Sequence, residues 1–151
     1  MEDVEALAAV AVDCGLRLHR QLGPGLVESV YEALLSASIA RTGLAVERQV
    51  PISIDVDGLV FKDAFRADLI IEGVVLVEIK SVEILAPVHS KQLLTYLRLR
   101  QAKLGLLMNF GGATFKEGLK RVVNEYKAPY PGGRARRAMS GDALCRAAAV
   151  K

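Results

Sequence analysis

The chain has 151 residues and a mass of 16.3 kDa, with 52% hydrophobic residues, 25% charged residues and a mean hydropathy of +0.28. That is the size and composition of one globular domain. It excludes a disordered chain, which lacks the apolar surface to offset ordering entropy, and no second folded unit is expected. The longest apolar runs, such as Ala6–Val12 and Val74–Val77, fall far short of the ~20 residues a membrane helix needs, so no membrane partner is expected.

The start is acidic (Glu2, Asp3, Glu5) and no cleavage site follows a long apolar core, so no secretory leader is expected. Cys14 and Cys145 are too few for a disulfide framework or a four-thiolate metal site, and a reducing, cytoplasmic compartment is the default. The net charge of +3 divides unevenly. Residues 127–151 hold six Lys/Arg against Asp142 alone, leaving 14 basic and 16 acidic residues in 1–126, a net −2 there against +5 in the tail. The expected organisation is a single domain over 1–126 with a basic C-terminal tail over 127–151. Only the tail has the basic excess that neutralises phosphates, and eight aromatics without Trp make no broad base-stacking surface.

In chain order, Val4, Leu7, Ala8, Ala11, Cys14, Gly15 and Leu18 recur at helical spacing and predict a helix ending near Gly23. A second helix is expected from about Pro24 to Arg41, closed by Thr42-Gly43. The period then changes to two. Val50, Ile52, Ile54 and Val56 make a strand, Asp57-Gly58 a tight turn, and Leu59–Phe65 the returning strand. Arg66–Ile71 and Val74–Lys80 flank Glu72-Gly73, for a β-meander of three or four strands. Val74–Val77 is apolar on both faces, as in a central strand covered on both sides, so helices must lie against the sheet. A third helix follows over about Val88–Gln101, then a buried strand over Lys103–Asn109. Phe115–Glu125 reads equally as helix or strand, and the Arg/Ala-rich remainder has helical pattern only from about Asp142.

Three charged residues occupy costly places. Asp68 lies among Ala67, Leu69, Ile70 and Ile71, and Glu78 and Lys80 end the most apolar strand. Buried charges must be paired or bound to metal. Residues 78 and 80 share a strand face. Carboxylates converging beside a lysine suit a hard cation such as Mg²⁺, which takes one or two carboxylates plus water and phosphate oxygens, and such a site suits phosphodiester hydrolysis. A Glu78–Lys80 or Asp68–Lys80 ion pair is the competing reading. Register decides whether the acids can meet: a two-residue Glu72-Gly73 turn would oppose Asp68 with Val77 and send it to the wrong face. A three-residue loop Glu72–Val74, or a bulge, opposes Asp68 with Glu78.

Asp68, nine residues, then Glu78-Ile79-Lys80 resembles the Asp…Glu-x-Lys signature of the PD-(D/E)XK nuclease superfamily. The segment GLVESVY, with Gly25, Glu28 and Tyr31, resembles the motif of the bacterial GxxExxY family within it, and RADLIIE, VEIKSV and HSKQLLTYL follow in order. The superfamily's proline before the first Asp is absent, Ala67 standing there. The resemblance spans about Leu16–Asn124 and implies an α/β restriction-endonuclease-like core, a mixed central sheet flanked by helices. It implies Asp68, Glu78, the Ile79 carbonyl and Glu28 as ligands of Mg²⁺ or Mn²⁺, and Lys80 as the catalytic lysine beside the acids. Tyr31 is expected as a buried ring whose hydroxyl meets a polar group. Gln92 and Tyr96, four apart on the third helix, match an element that binds DNA in the exonuclease-like branch. His89 adds to that stripe, with helix capping as its alternative role.

The resulting expectation is a metal-dependent nuclease acting on DNA. A non-catalytic nucleic-acid- or protein-binding module with the same fold is the alternative, and a structural homo-oligomer is a third. No nucleotide-binding loop, zinc spacing or serine-hydrolase arrangement competes.

Overall fold

The computed structural model describes residues 3–125; the expected basic tail lies outside them. The elements are α1 (Val4–Leu22), α2 (Glu28–Ala40), β1 (Val46–Val56), β2 (Leu59–Ile71), β3 (Val75–Lys80), α3 (Pro87–Arg100), β4 (Leu104–Asn109), α4 (Phe115–Gly118) and β5 (Leu119–Val123). The five strands lie side by side in chain order. All neighbours are antiparallel except β3 and β4, and a parallel pair needs a crossover, which α3 supplies. Among the described residues no helix is long and apolar enough to cross a membrane.

Two apolar layers sandwich the sheet. Leu7, Ala11 and Leu18 of α1 and Tyr31, Leu35 and Ile39 of α2 cover Leu69, Ile71, Val77, Ile79, Leu106 and Met108. Leu93 and Leu97 of α3 cover Ile70, Leu76 and Leu107 on the opposite face. Strands β3 and β4 are therefore buried on both sides, as their continuous apolar sequence requires. Asp57 (φ 51°) and Gly58 (φ 80°) make the expected two-residue turn, opposing Val56 with Leu59; the hairpin turn needs positive φ at both central residues, which is why glycine sits there.

Three boundaries differ from the sequence reading. α2 begins at Glu28 and not at Pro24, because the Pro24–Val27 segment is held as a loop: the Tyr31 hydroxyl donates to the Gly23 carbonyl at 2.5 Å and accepts from the Leu26 N–H at 3.2 Å. Leu59–Ile71 is one strand of 13 residues, with the register against β1 shifting between Ile52 and Ile54. The ambiguous stretch after Phe115 contains both kinds of element, a one-turn helix whose first turn is capped by the Thr114 hydroxyl and then a strand.

Candidate active site

The β2–β3 connection is the three-residue loop Glu72–Val74. Ile71 opposes Val75 and Leu69 opposes Val77, a register whose next step opposes Asp68 with Glu78. The paired ladder stops at Leu69–Val77, although β3 continues to Lys80. Beyond that point the two strands part, and Asp68 fills the fork: its Oδ2 accepts the Ile79 N–H at 2.8 Å, standing in for the missing backbone acceptor. In an extended strand the N–H and C=O of one residue point to the same edge, so the Ile79 carbonyl is aimed at the fork as well.

A change of facing prepares this placement. Along β1, Val46 lies against the α1/α2 layer whereas Val50 and Ile52 lie against the α3 layer; along β2, Leu69 and Ile71 lie on the first and Ala67 and Phe65 on the second. The switch falls at Gln49 and Asp68, and Gln49 has φ 49°. A left-handed backbone at a non-glycine residue costs about 1–2 kcal/mol. It coincides with the point at which both strands exchange layers, where Asp68 joins neither apolar cluster.

Glu78 is 9% exposed, and its Oε1 has no hydrogen-bond partner. Burial, and then the neighbouring Asp68 carboxylate, push its pKa up to about 8, against the opposing pull of Lys80 and the Asp68 N–H. Asp68 is also raised, first by burial and further by the charge of Glu32; the Ile79 N–H, the Gln49 amide and Lys80 hold it down. Lys80 lies close enough to favour both ionised acids, yet among the described residues no ion pair within 4.0 Å involves it. Neither the Glu78–Lys80 nor the Asp68–Lys80 ion pair of the competing reading is closed within that distance, although the charge of Lys80 still acts on both acids.

Tyr96 and Gln92 reach the same region. The Tyr96 phenol is raised by burial and then by Glu78, with Gln92 hydrogen-bonded to it, and its ring stacks on Phe65 at 3.8 Å between centroids. His89 is at the start of α3, where Nδ1 accepts the Ala86 N–H at 3.2 Å, the capping role. Glu28 is exposed, and its Oε1 accepts the Ser81 N–H at 3.4 Å. It lies beside a cleft of about 750 Å³ lined by Pro24–Ser29, Ser81–Glu83 and Gly111. That cleft adjoins the fork at the end of β3 and does not include Asp68 or Glu78.

Three residues absent from the sequence reading complete the surroundings. Glu32, one helical turn after Glu28, is 5% exposed and accepts from Gln49 Nε2 at 2.7 Å and Arg48 Nε at 3.2 Å. Gln49 Nε2 also donates to Asp68 Oδ1 at 3.2 Å. Asn109, opposite Lys80 on β4, clasps the segment after it: Oδ1 accepts from the Val82 and Gly111 N–H groups at 3.0 and 3.1 Å, and Nδ2 donates to the Val82 carbonyl at 2.8 Å. A Cβ on Gly111 would stand 2.3 Å from that carbonyl, so only glycine allows the approach. The four-residue spacing of Glu28 and Glu32 was a readable signal; the meeting of Gln49 with Asp68 was not.

Among the described residues no group of three or more His, Cys, Asp or Glu side chains forms a metal-holding cluster. Mg²⁺ does not need one, since one or two carboxylates with waters and substrate oxygens suffice. The donors present fit that demand: two neighbouring carboxylates, the Ile79 carbonyl on the strand edge that faces Asp68, and a buried Glu78 oxygen lacking a partner.

A mixed five-stranded sheet with helices on both faces, its antiparallel β2–β3 ladder opening at one end beside the parallel β3–β4 pair, is the α/β fold of restriction endonucleases. The family model of the PD-(D/E)XK nuclease superfamily matches residues 5–122, and the chain belongs to that superfamily. No curated protein and no solved structure matches it.

Proposed function

We propose that this protein is a Mg²⁺- or Mn²⁺-dependent nuclease of the GxxExxY branch, hydrolysing phosphodiester bonds in DNA. The observation that carries the reading is the fork itself. Asp68 and Glu78 are neighbours where the ladder ends, Glu78 keeps a buried oxygen without a partner, and Lys80 acts on both acids without closing an ion pair within 4.0 Å among the described residues. Two adjacent carboxylates repel a phosphate backbone unless a cation lies between them, so the arrangement suits metal-assisted hydrolysis better than nucleic-acid binding alone.

Asp68, Glu78 and the Ile79 carbonyl would hold the cation, with Glu28 flanking the approach to the site. When bound, the cation supplies charge stabilisation at the phosphoryl oxygens and lowers the pKa of its water. Lys80 orients the attacking water or neutralises charge developing on the phosphate. Gln92 and Tyr96, on the α3 side of the fork, contact the substrate backbone. The test is cleavage of single-stranded, duplex and branched DNA, and of RNA, with Mg²⁺ or Mn²⁺ and with Lys80→Ala as control. Metal-dependent cleavage of DNA that this substitution abolishes is the expected result; no cleavage of any substrate, or cleavage equal in Lys80→Ala, would refute it.

A further inference from the structure

Gln49 has a backbone conformation that costs free energy and a side chain that makes no apolar contribution. Its one amide nitrogen has two hydrogens, and both are placed: one on Glu32 Oε2 at 2.7 Å, the other on Asp68 Oδ1 at 3.2 Å. Because both neighbours are carboxylates, only the amide nitrogen can face them. Glu32 is buried and is anchored independently by Arg48, so it is a fixed point rather than a mobile surface acid. Asp68 Oδ2 is already committed to the Ile79 N–H. The Asp68 carboxylate is thus gripped at both oxygens, by β3 through a backbone donor and by β1 through Gln49. Register alone would leave its side chain free to rotate in the gap.

We propose that Gln49 is a positioning residue for the nuclease site, held left-handed at φ 49° so that its amide bridges Glu32 to Asp68 and fixes the plane of the Asp68 carboxylate toward Glu78. This rests on the reading of Asp68 as a metal ligand. Residues that orient metal ligands typically contribute 10–100-fold in metal affinity or activity. Gln49 lies in an irregular strand position, so neither a sequence period nor a motif marks it.

Gln49→Gly is the discriminating variant, because glycine accepts the left-handed backbone without strain while the side chain and its two hydrogen bonds are lost. With Mn²⁺ as the probe, isothermal calorimetry on the full chain should show affinity falling at least tenfold while the urea unfolding midpoint stays near that of the parent. Cleavage should show kcat falling with KM little changed, and partial recovery at high Mn²⁺ concentration. The bridge itself is read without metal: Asp68→Asn should shift the urea midpoint differently in the parent and in Gln49→Gly. Additive midpoints, or Mn²⁺ affinity within twofold of the parent, would overturn the proposal. Non-additive midpoints in a parent that neither binds Mn²⁺ nor cleaves would uphold the bridge and refute the metal-nuclease reading instead.

Discussion

Glu78→Gln isolates the electrostatic cost built into the fork. In the folded chain the Glu78 carboxyl is raised from an ordinary value of 4.5 to about 8, first by burial and then by Asp68. An acid whose pKa is raised on folding binds its proton more tightly in the native state, so its contribution to stability is complete below the unfolded value. It is lost as pH climbs through the interval from 4.5 to about 8. Within that interval each pH unit removes about 1.4 kcal/mol, so Glu78 should cost the metal-free protein roughly 2–3 kcal/mol between pH 5 and pH 7. The amide cannot ionise. Its burial cost is independent of pH, so the slope, rather than the absolute stability, carries the information. Urea unfolding in EDTA at pH 5, 6 and 7 should show parent stability falling more steeply than that of Glu78→Gln, by about that amount over the range. Parallel pH dependences would mean that Glu78 ionises without penalty and that the strained acid pair described here does not exist.

Further outcomes follow from the same geometry. Lys80→Ala should lower kcat by about 10²–10³ without weakening Mn²⁺ binding, since removing a cation beside the acids does not disfavour a second one; loss of Mn²⁺ affinity in calorimetry would contradict its placement as a catalytic rather than a structural group. Asn109→Ala removes the three hydrogen bonds that clasp Val82 and Gly111, which at roughly 1 kcal/mol each is about 3 kcal/mol. Scanning calorimetry should show a Tm lower by about 10 °C, and a loss under about 3 °C would contradict the clasp. Removing residues 127–151 changes the formal charge from +3 to −2. If the tail contacts phosphates, the log–log salt slope of DNA binding should fall by roughly 0.7–0.9 per lost contact, whereas equal slopes would place all phosphate contacts in the body.

How far the sequence could be read depended on whether a feature was local. The helices, the Asp57-Gly58 hairpin and the buried central strands follow from periodicity and turn chemistry, each decided within a few residues. The register of Asp68 against Glu78 was reducible to a parity question, because a shared site demands an odd-length loop or a bulge, and the loop has three residues. What stayed hidden depends on the meeting of distant segments. Gln49 reads as one polar residue in an alternating strand, and nothing nearby announces its left-handed backbone or the exchange of faces that falls there. Glu32 reads as a charge beside Tyr31, yet it is buried because α2 crosses β1 where Arg48 and Gln49 can receive it. Asn109 closes an apolar strand and reveals its role only against Val82, after a crossover helix.

The most direct test of the central claim, that the fork between β2 and β3 is one metal-dependent hydrolytic site, is the anomalous scattering of Mn²⁺ in crystals of the full chain. The account predicts a peak bounded by the Asp68 and Glu78 carboxylates and the Ile79 carbonyl, at the roughly 2.0–2.2 Å ligand distances of small hard divalent cations, and its loss in Asp68→Asn. A peak elsewhere, or none at a Mn²⁺ concentration that supports cleavage, would contradict it.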